Sequence, residues 1–257
     1  MPGPILSDRE LRRYSRQIML PEIGIAGQEK LRKASVLVVG AGGLGCPVLQ
    51  YLAAAGVGKL AGAEFDTVSE TNLQRQVLYG SEDIGKLKSI IATKRIEQLN
   101  NLIETERINL RIDASNSLGI LKNYDIIVDA TDNLRTRYVI NDSCVILNKP
   151  MVHGAIYKYE GQVAVFNYRG GATYRCFNPS EEGRFLNPEP SSSGLLGVLP
   201  GITGTIMTSE VIKIITGSGE VLSGKMLVFN IYDYSFRLVE IACNPENHKI
   251  TLLKENY

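Results

Sequence analysis

The chain has 257 residues, of which 44% are hydrophobic, so it is long enough to bury a substantial core in one large domain. Its 28 Lys and Arg residues nearly balance its 27 Asp and Glu residues. A nearly neutral chain has no overall positive field to hold nucleic acid or an anionic membrane. Nucleic acid is therefore not an expected partner, and any anion must be bound by a local group of side chains.

The cysteines and the N-terminus indicate the cellular compartment. Cys46, Cys144, Cys176 and Cys243 are too few and too scattered for a disulfide framework, which indicates a reducing environment. The N-terminus is charged within a few residues, and no apolar run approaches the roughly 20 residues needed to span a bilayer. We therefore expect a cytoplasmic protein with no membrane partner.

In chain order, the first predicted elements are helices. Ser7 and Glu10 have the spacing of a capping box, which predicts a cationic helix, and a second short helix is predicted near 28–33. The uninterrupted apolar run at 35–40 is typical of a strand buried on both faces. Strands and helices then alternate, with strands near 60–65, 107–112, 125–130 and 151–155 and helices near 88–99 and 133–147. This alternation predicts an α/β fold with a doubly wound, mostly parallel, Rossmann-like sheet.

The pattern changes after Gly161. Strands at 163–166 and 226–229, predicted to be antiparallel, flank a helix expected from about 205 to 215. The interval from about 177 to 200 is rich in Pro, Ser, Gly and Glu, which predicts a long crossover loop. No sharp linker is evident, so we predict a single domain over 1–257, with N-terminal helices (1–34), a nucleotide-binding core (35–160) and an antiparallel part (161–257).

A glycine-rich turn follows the first strand. Gly40, Gly42 and Gly45 have the G-x-G-x-x-G spacing, with Gly43 between them. The glycines allow a tight turn and bring a nucleotide close to a helix N-terminus, whose free N–H groups bind anions. Glu64 ends the second strand about 20 residues downstream, where an acidic side chain binds ribose hydroxyls. The pattern predicts a nucleotide site but does not choose between ATP and NAD.

Polar residues beyond Glu64 favour a polyphosphate. They lie in segments expected over the carboxyl edge of the sheet, where ligands bind in such folds, and they are Asp66, Asn72, Arg75, Gln76, Lys88, Asp132 and Asn133. The cations can hold phosphates, and an aspartate at a strand end can hold magnesium. A hydride-transfer enzyme needs neither, so ATP and Mg²⁺ are the expected cofactors and an NAD-dependent oxidoreductase is the alternative.

Simpler roles remain open for single residues. Asp132 could cap the helix that starts near Asn133, and Arg75 and Lys88 could be ordinary surface charges. Arg16 could be a solvated charge on the first helix. Only the joint occurrence of these residues favours a phosphate site.

The sequence resembles the ThiF/MoeB/HesA family of adenylyltransferases, bacterial relatives of the ubiquitin-activating enzymes. The resemblance runs through nearly the whole chain and rests on separated motifs in a fixed order, at 13–17, 40–45, 72–76, 131–133, 161–162 and 210–213. It implies that Glu64 binds the ribose and that Asp132 serves magnesium. The residues that it implies to contact phosphate are Asn72, Arg75 and Lys88.

The resemblance also implies an assembly and a reaction. Arg16 would reach across a homodimer interface into the partner's ATP site, which makes Arg16, Arg75, Lys88 and Asp132 the expected catalytic residues. The implied reaction is ATP-dependent adenylylation of the C-terminal glycine carboxylate of a ubiquitin-like sulfur-carrier protein ending in Gly-Gly. Pyrophosphate is released, the pathway is thiamine-thiazole or molybdopterin biosynthesis, and the antiparallel part would bind the carrier. A relative that adenylates modified tRNA is a further alternative, which the neutral charge disfavours.

The chain departs from the family at two places. Many relatives hold a structural zinc with two C-x-x-C pairs, but here 173–176 retains only Cys176, and 244–248 has no cysteine, with Cys243 just before it. We expect no zinc, and a site made of Cys176, Cys243 and His248 is the less favoured alternative. Some members also carry a cysteine in the crossover loop, but 189–194 has none, so sulfur transfer through a thiol of this loop is not expected.

Overall fold

The computed structural model describes residues 5–179, 194–255 and 257. The described strands are β1 (Ser35–Val39), β2 (Lys59–Ala63), β3 (Glu104–Ile108), β4 (Ile126–Asp129), β5 (Met151–Tyr157), β6 (Glu160–Phe166), β7 (Lys225–Asn230) and β8 (Ser235–Glu240). They form one eight-stranded sheet in the order β3-β2-β1-β4-β5-β6-β7-β8. The first five strands of this order pair in parallel, and β6, β7 and β8 continue the sheet antiparallel. The predicted doubly wound sheet with an antiparallel extension is confirmed.

The helices cover both faces of the sheet. Those described are α1 (Asp8–Arg13), α2 (Ser15–Ile18), α3 (Gly24–Lys33), α4 (Gly45–Ala55), α5 (Lys88–Leu99), α6 (Ser117–Leu121), α7 (Leu134–Ile146), α8 (Tyr174–Phe177) and α9 (Val198–Thr216). The predicted capping box begins α1: the Glu10 amide donates to Ser7 Oγ, and the Ser7 amide donates to the Glu10 carboxylate at 2.8 Å.

Strand β1 lies at the centre of the core. Val36 and Val38 pack into the hydrophobic cluster that contains residues of α4 and α9, whereas Leu37 and Val39 pack into the cluster on the α7 side. Alternate side chains point to opposite faces of a strand, and both faces of β1 are covered by helices. This is why β1 is continuously apolar from Val36 to Val39 instead of alternating.

The short helices α6 and α8 were not predicted from the sequence, and three further elements, β3, α9 and β8, also differ from the predictions. Strand β3 lies at Glu104–Ile108, earlier than 107–112, because it is an edge strand with mostly exposed polar side chains and its sequence lacks an apolar alternation. Helix α9 begins at Val198 and not near 205; Pro200 is compatible with a first helical turn, where its missing N–H would have no partner. Strand β8 was not predicted, since it forms the other edge and every one of its side chains is exposed.

Helix α9 corrects the expectation that no apolar run is long enough to span a bilayer. By length and composition alone, its 19 residues are long and apolar enough to cross a membrane. In the structure the helix packs against α3, α4, β5 and β6. The buried carboxylate of Glu210 within it accepts a hydrogen bond from the Leu222 amide at 2.8 Å and pairs with Lys213. The apolar composition of α9 follows from this position in the core.

Asn100 connects the N-terminal helices to the rest of the fold. This fully buried residue directly follows α5, and its Nδ2 donates to the hydroxyl of Tyr14 at 2.8 Å and to the carbonyl of Ala53 at 2.6 Å. Its Oδ1 accepts from the Leu102 amide at 3.1 Å. One side chain therefore joins the end of α1, the end of α4 and the segment that leads into β3.

We expect Asn100→Ala to lower the free energy of unfolding by about 2–3 kcal/mol, because it leaves buried polar groups without partners. Urea denaturation followed by circular dichroism measures this loss. Tyr14→Phe is the matched control, since it removes only one of these hydrogen bonds and should cost about 1 kcal/mol. A stability of Asn100→Ala equal to that of Tyr14→Phe would contradict the role assigned to Asn100.

Candidate nucleotide site

A cleft of about 360 Å³ lies at the carboxyl ends of β1, β2 and β4. It brings together most of the residues that the sequence analysis selected, namely Gly40, Gly42, Gly43, Glu64, Asp66, Arg75, Gln76, Lys88, Asp132 and Asn133. Gly45, Asn72 and Arg16 do not line it. Gly45 starts α4 behind the turn, Asn72 ends a short 3₁₀ turn, and Arg16 is exposed on α2.

The glycine turn is fixed by two close approaches of the backbone. Gly40 has a φ of +96°, and a Cβ there would meet the carbonyl oxygen of Ala130 at 2.7 Å. At Gly45 a Cβ would lie only 1.9 Å from the carbonyl oxygen of Gly40. Both positions therefore require glycine. Because the turn is this tight, the first residues before α4 lie along the cleft, where the helix N-terminus favours an anion.

Glu64 holds the turn to the end of β2. Its carboxylate is buried and accepts hydrogen bonds from the amides of Ala41 at 3.0 Å, Phe65 at 2.9 Å and Asp66 at 3.0 Å. Three backbone donors fix both oxygens, so the side chain has a single orientation while it lines the cleft. Glu64, which the sequence predicts to bind the ribose, therefore also links the turn after β1 to the end of β2.

The cations Arg75 and Lys88 both line the cleft and are not ordinary surface charges. Lys88, the first residue of α5, is only 5% exposed, and its ammonium lies 3.7 Å from the carboxylate of Asp66. Arg75 is half-buried and donates to the carbonyl of Thr71 at 2.9 Å. Asn72 supports this turn through its carbonyl, which accepts from the Arg75 amide at 3.0 Å.

Asp132 and Asn133 have different roles at the start of α7. The Asn133 side chain caps the helix by accepting from the Thr136 amide at 2.9 Å. Asp132 is exposed in the cleft, and it forms no hydrogen bond or ion pair within the described part of the chain. The alternative that Asp132 caps this helix is therefore wrong, and its carboxylate is available to a ligand.

A buried hydrogen-bond network, which the sequence analysis did not identify, holds the turn that precedes Asp132. The fully buried carboxylate of Asp129 accepts from the amide of Thr131 at 3.1 Å, from its hydroxyl at 2.6 Å, and from Nδ1 of His153 at 2.7 Å. Arg137 donates to the carbonyl of Thr131 at 2.9 Å and also lines the cleft. Thr131 is thus held from two sides, which fixes the turn that presents Asp132.

The protonation states of this network follow from its burial. Burial opposes the charge of Asp129, but hydrogen bonds from His153 and Thr131 and the charge of Arg137 hold its pKa below the usual value. Burial lowers the pKa of His153, and the charge of Asp129 only partly offsets this effect. Since a carboxylate can only accept, the neutral imidazole donates from Nδ1.

An apolar wall closes another part of the cleft. Leu110 and Ile112 line it, and the guanidinium of Arg111 lies 4.7 Å from the ring centre of Phe65. No sequence motif marked these residues, because they follow β2 and β3 in segments without a regular pattern. The cleft therefore combines an apolar side with a charged side.

The two segments compared with the zinc ligands of relatives lie together. The Asn244 amide and the Asn247 side chain each donate to Cys176 Sγ at 3.3 Å, and Cys243 Sγ lies 3.6 Å from His248 Nε2. Among the described residues, no group of three or more His, Cys, Asp or Glu side chains is arranged to hold a metal ion. The expected absence of zinc stays a prediction, and the crossover-loop residues 189–193 lie outside the described ranges.

We expect the free energy of unfolding to fall as the pH decreases below about 6.5, the ordinary pKa of histidine. Folding lowers the pKa of both His153 and Asp129, so the unfolded chain binds more protons and acid favours it. His153→Gln removes the titrating imidazole but keeps an N–H donor, so its loss of stability between about pH 6.5 and 5 should be smaller. Urea denaturation at several pH values measures both slopes, and equal slopes would contradict the assignment.

Comparison with known proteins places the chain in one family. The ThiF family matches residues 14–250. The sulfur carrier protein adenylyltransferase of Thermus thermophilus is 47% identical over 241 residues, covering 92% of this chain and 89% of the relative. The probable molybdopterin-synthase adenylyltransferase of Porphyra purpurea is 47% identical over 234 residues, covering 90% of this chain and 61% of that longer relative. The crystal structure of Escherichia coli MccB with MccA-N7isoASN has the same fold, with a TM-score of 0.81, 22% identity, and coverage of 98% of this chain and 77% of that one. This chain belongs to the ThiF family.

Proposed function

We propose that this protein transfers the adenylyl group of ATP to the C-terminal glycine carboxylate of a ubiquitin-like sulfur-carrier protein ending in Gly-Gly. Pyrophosphate is released, and the carrier serves thiamine-thiazole or molybdopterin biosynthesis. Family membership and the names of the relatives support this reaction. The structural observation that carries it is one cleft in which Glu64, Arg75, Lys88 and Asp132 lie together at the carboxyl edge of the sheet.

The reaction joins two anionic groups. A carboxylate oxygen of the carrier attacks the α-phosphorus of ATP, a new O–P bond forms, and the bond to the pyrophosphate oxygen breaks. The attacking carboxylate is already deprotonated at neutral pH, so no general base is needed. The site has to align the groups and offset their charge, which preorganised cations and backbone N–H groups do well.

Arg75 and Lys88 are proposed to bind the phosphates. Lys88 is buried and its ammonium lies 3.7 Å from the exposed carboxylate of Asp66, so a bound phosphate gains a cation that is poorly screened by water. Arg75 lines the same cleft and presents further N–H donors. The start of α4, with its glycines, adds backbone N–H groups to the same region.

Asp132 is proposed to hold Mg²⁺. Mg²⁺ binds one or two carboxylates together with substrate phosphates and keeps several waters, and it offsets charge on the leaving pyrophosphate when bound. The exposed carboxylate of Asp132 suits this ligand set because it has no other partner in the described ranges. The Asp129 network holds the backbone of Thr131 and so positions this carboxylate.

A homodimer is proposed to complete the site. Arg16 does not reach the cleft of its own chain, and it lies near the exposed apolar side chains of Met19, 70% exposed, and Leu20. An apolar surface next to a cation suits burial against a second copy. In this proposal Arg16 of one protomer contacts the nucleotide of its partner, and the protein acts in the cytoplasm.

The function is tested by exchange of labelled pyrophosphate into ATP with Mg²⁺, using thiazole-pathway and molybdopterin-pathway carriers side by side. Exchange that requires one carrier and its terminal Gly-Gly supports the proposal and identifies the pathway. ATP binding without exchange for either carrier would point to another carboxylate substrate. Absence of ATP binding would overturn the proposed reaction.

We expect Arg75→Ala and Asp132→Asn each to reduce carrier-dependent exchange by about 100-fold, because each removes charge that stabilises the transition state. Their free energies of unfolding should stay within about 0.5 kcal/mol of the wild type, since neither side chain is part of the core. Arg107→Ala, at an exposed position on β3, is the matched control and should keep full activity. Undiminished exchange in a well-folded Arg75→Ala would rule out its assigned role.

Mixing two inactive variants tests the role of Arg16. If Arg16 acts across the interface, Arg16→Ala and Asp132→Asn should complement each other, because one site of each mixed dimer has both residues intact. Equal co-expression should restore about a quarter of wild-type exchange, since half of the dimers are mixed. Each variant expressed alone should stay far below this level. A mixture no more active than the separate variants, with mixed dimers shown by mass spectrometry, would contradict action in trans.

A further inference from the structure

One sulfur atom holds the segment around Pro245–His248 against α8. Cys176 Sγ accepts hydrogen bonds from the Asn244 amide and the Asn247 side chain, each at 3.3 Å, and from the Thr173 amide at 3.4 Å. The hydroxyl of Thr173 lies at 3.4 Å as well. Three N–H donors around one sulfur stabilise a thiolate more than a thiol, because a negative charge strengthens each bond. Cys176 is half-buried, so solvent reaches it.

A second thiol lies beside this sulfur. The Asn244 nitrogen that donates to Cys176 is bonded to the carbonyl carbon of Cys243, so the Cα of Cys243 lies within about 6 Å of the Cys176 sulfur. A disulfide requires the Cα atoms of its two cysteines to lie roughly 4.4–6.8 Å apart, and the backbone contact at Asn244 brings Cys243 close to Cys176. Burial raises the pKa of the Cys243 thiol, and the nearby Cys176 raises it further.

A base lies next to Cys243. Nε2 of His248 is 3.6 Å from Cys243 Sγ, and both side chains are on the exposed side of the segment. The cluster thus contains three groups. They are the Cys176 sulfur, which is stabilised by hydrogen bonds, the Cys243 thiol, and the His248 imidazole, which can accept the proton of that thiol. The proposed adenylylation uses none of them.

We propose that Cys176 and Cys243 form a reversible disulfide site, in which a hydroperoxide oxidises Cys176 and Cys243 then closes the disulfide with help from His248. This chemistry is separate from sulfur transfer to a carrier and independent of the proposed function. It would fix the segment that follows Cys243 to α8 by a covalent bond in place of hydrogen bonds.

Atoms and electrons balance in both steps, written here for hydrogen peroxide. The Cys176 thiolate attacks one oxygen of hydrogen peroxide, an S–O bond forms, the O–O bond breaks, and the leaving hydroxide takes a proton to become water, which gives a sulfenic acid. Cys243 then passes its proton to His248 and attacks the Cys176 sulfur. The S–S bond forms, the S–O bond breaks, and the second hydroxide leaves as water with the proton from His248. Two thiols and one peroxide thus give one disulfide and two waters.

The other two cysteines serve as internal controls. Cys46 and Cys144 are fully buried, and burial raises the pKa of Cys46 to about 12 and that of Cys144 as well. Thiols in such surroundings react slowly with oxidants. Oxidation of the folded protein should thus be confined to Cys176 and Cys243.

The test is oxidation of the reduced, full-length protein with hydrogen peroxide, followed by intact mass and peptide mapping. We expect loss of two hydrogens, a linked peptide that joins Cys176 to Cys243, and full reversal by dithiothreitol. Metal content is measured on the same sample. A different disulfide, no disulfide while the protein stays folded, or one tightly bound metal ion per chain on these thiols would overturn the proposal.

Variants separate the two steps. In Cys243→Ser the sulfenic acid has no partner, so dimedone should label Cys176 in proportion to peroxide. His248→Gln should leave this first step unchanged and slow disulfide closure by roughly tenfold, because it removes the base. Lys249→Gln is the matched surface control and should close at the wild-type rate. Dimedone labelling of Cys243 before Cys176 in the wild type, or closure unaffected by His248→Gln, would contradict the assigned roles.

Discussion

The close approach of backbone at the glycine turn is the constraint on which the site depends. The carbonyl oxygens of Gly40 and Ala130 occupy the space that side chains at Gly45 and Gly40 would need. This contact fixes the start of α4 against the turn after β1 and fixes that turn against the segment after β4, at the same end of the sheet. Glu64 then fixes the turn to β2 through the Ala41 amide. The cleft exists because three strands end against one tight turn.

The parallel half of the fold could be predicted because burial on both faces leaves a clear sequence pattern. Strand β1 is apolar at nearly every position, and its packing in two clusters explains why. The two edge strands β3 and β8 were misplaced or missed because exposed strands are under no such requirement. Helix α9 shows a second limit: its first turn contains Gly and Pro, and only its packing against α4 and the sheet decides where it begins.

The part of the site that consists of short sequence motifs could be predicted. The glycine turn, Arg75 and Asp132 stand in short motifs, and the sheet topology brings those motifs to one edge. The network of Asp129, His153 and Arg137 was not predictable, since its members come from different elements and meet only after β4 and β5 have paired. Sequence also left open which residue caps α7, because adjacent Asp and Asn both suit that position.

The contact between α4 and α9 affects how the chain folds while it is being synthesised. Helix α4 is largely buried, and part of that burial comes from α9, which is synthesised about 140 residues later. When the parallel strands β1 to β4 have left the ribosome, one face of α4 is still uncovered and apolar. The nascent nucleotide-binding part therefore exposes this face of α4 until α9 has been made, and transiently exposed apolar surface of this kind promotes aggregation.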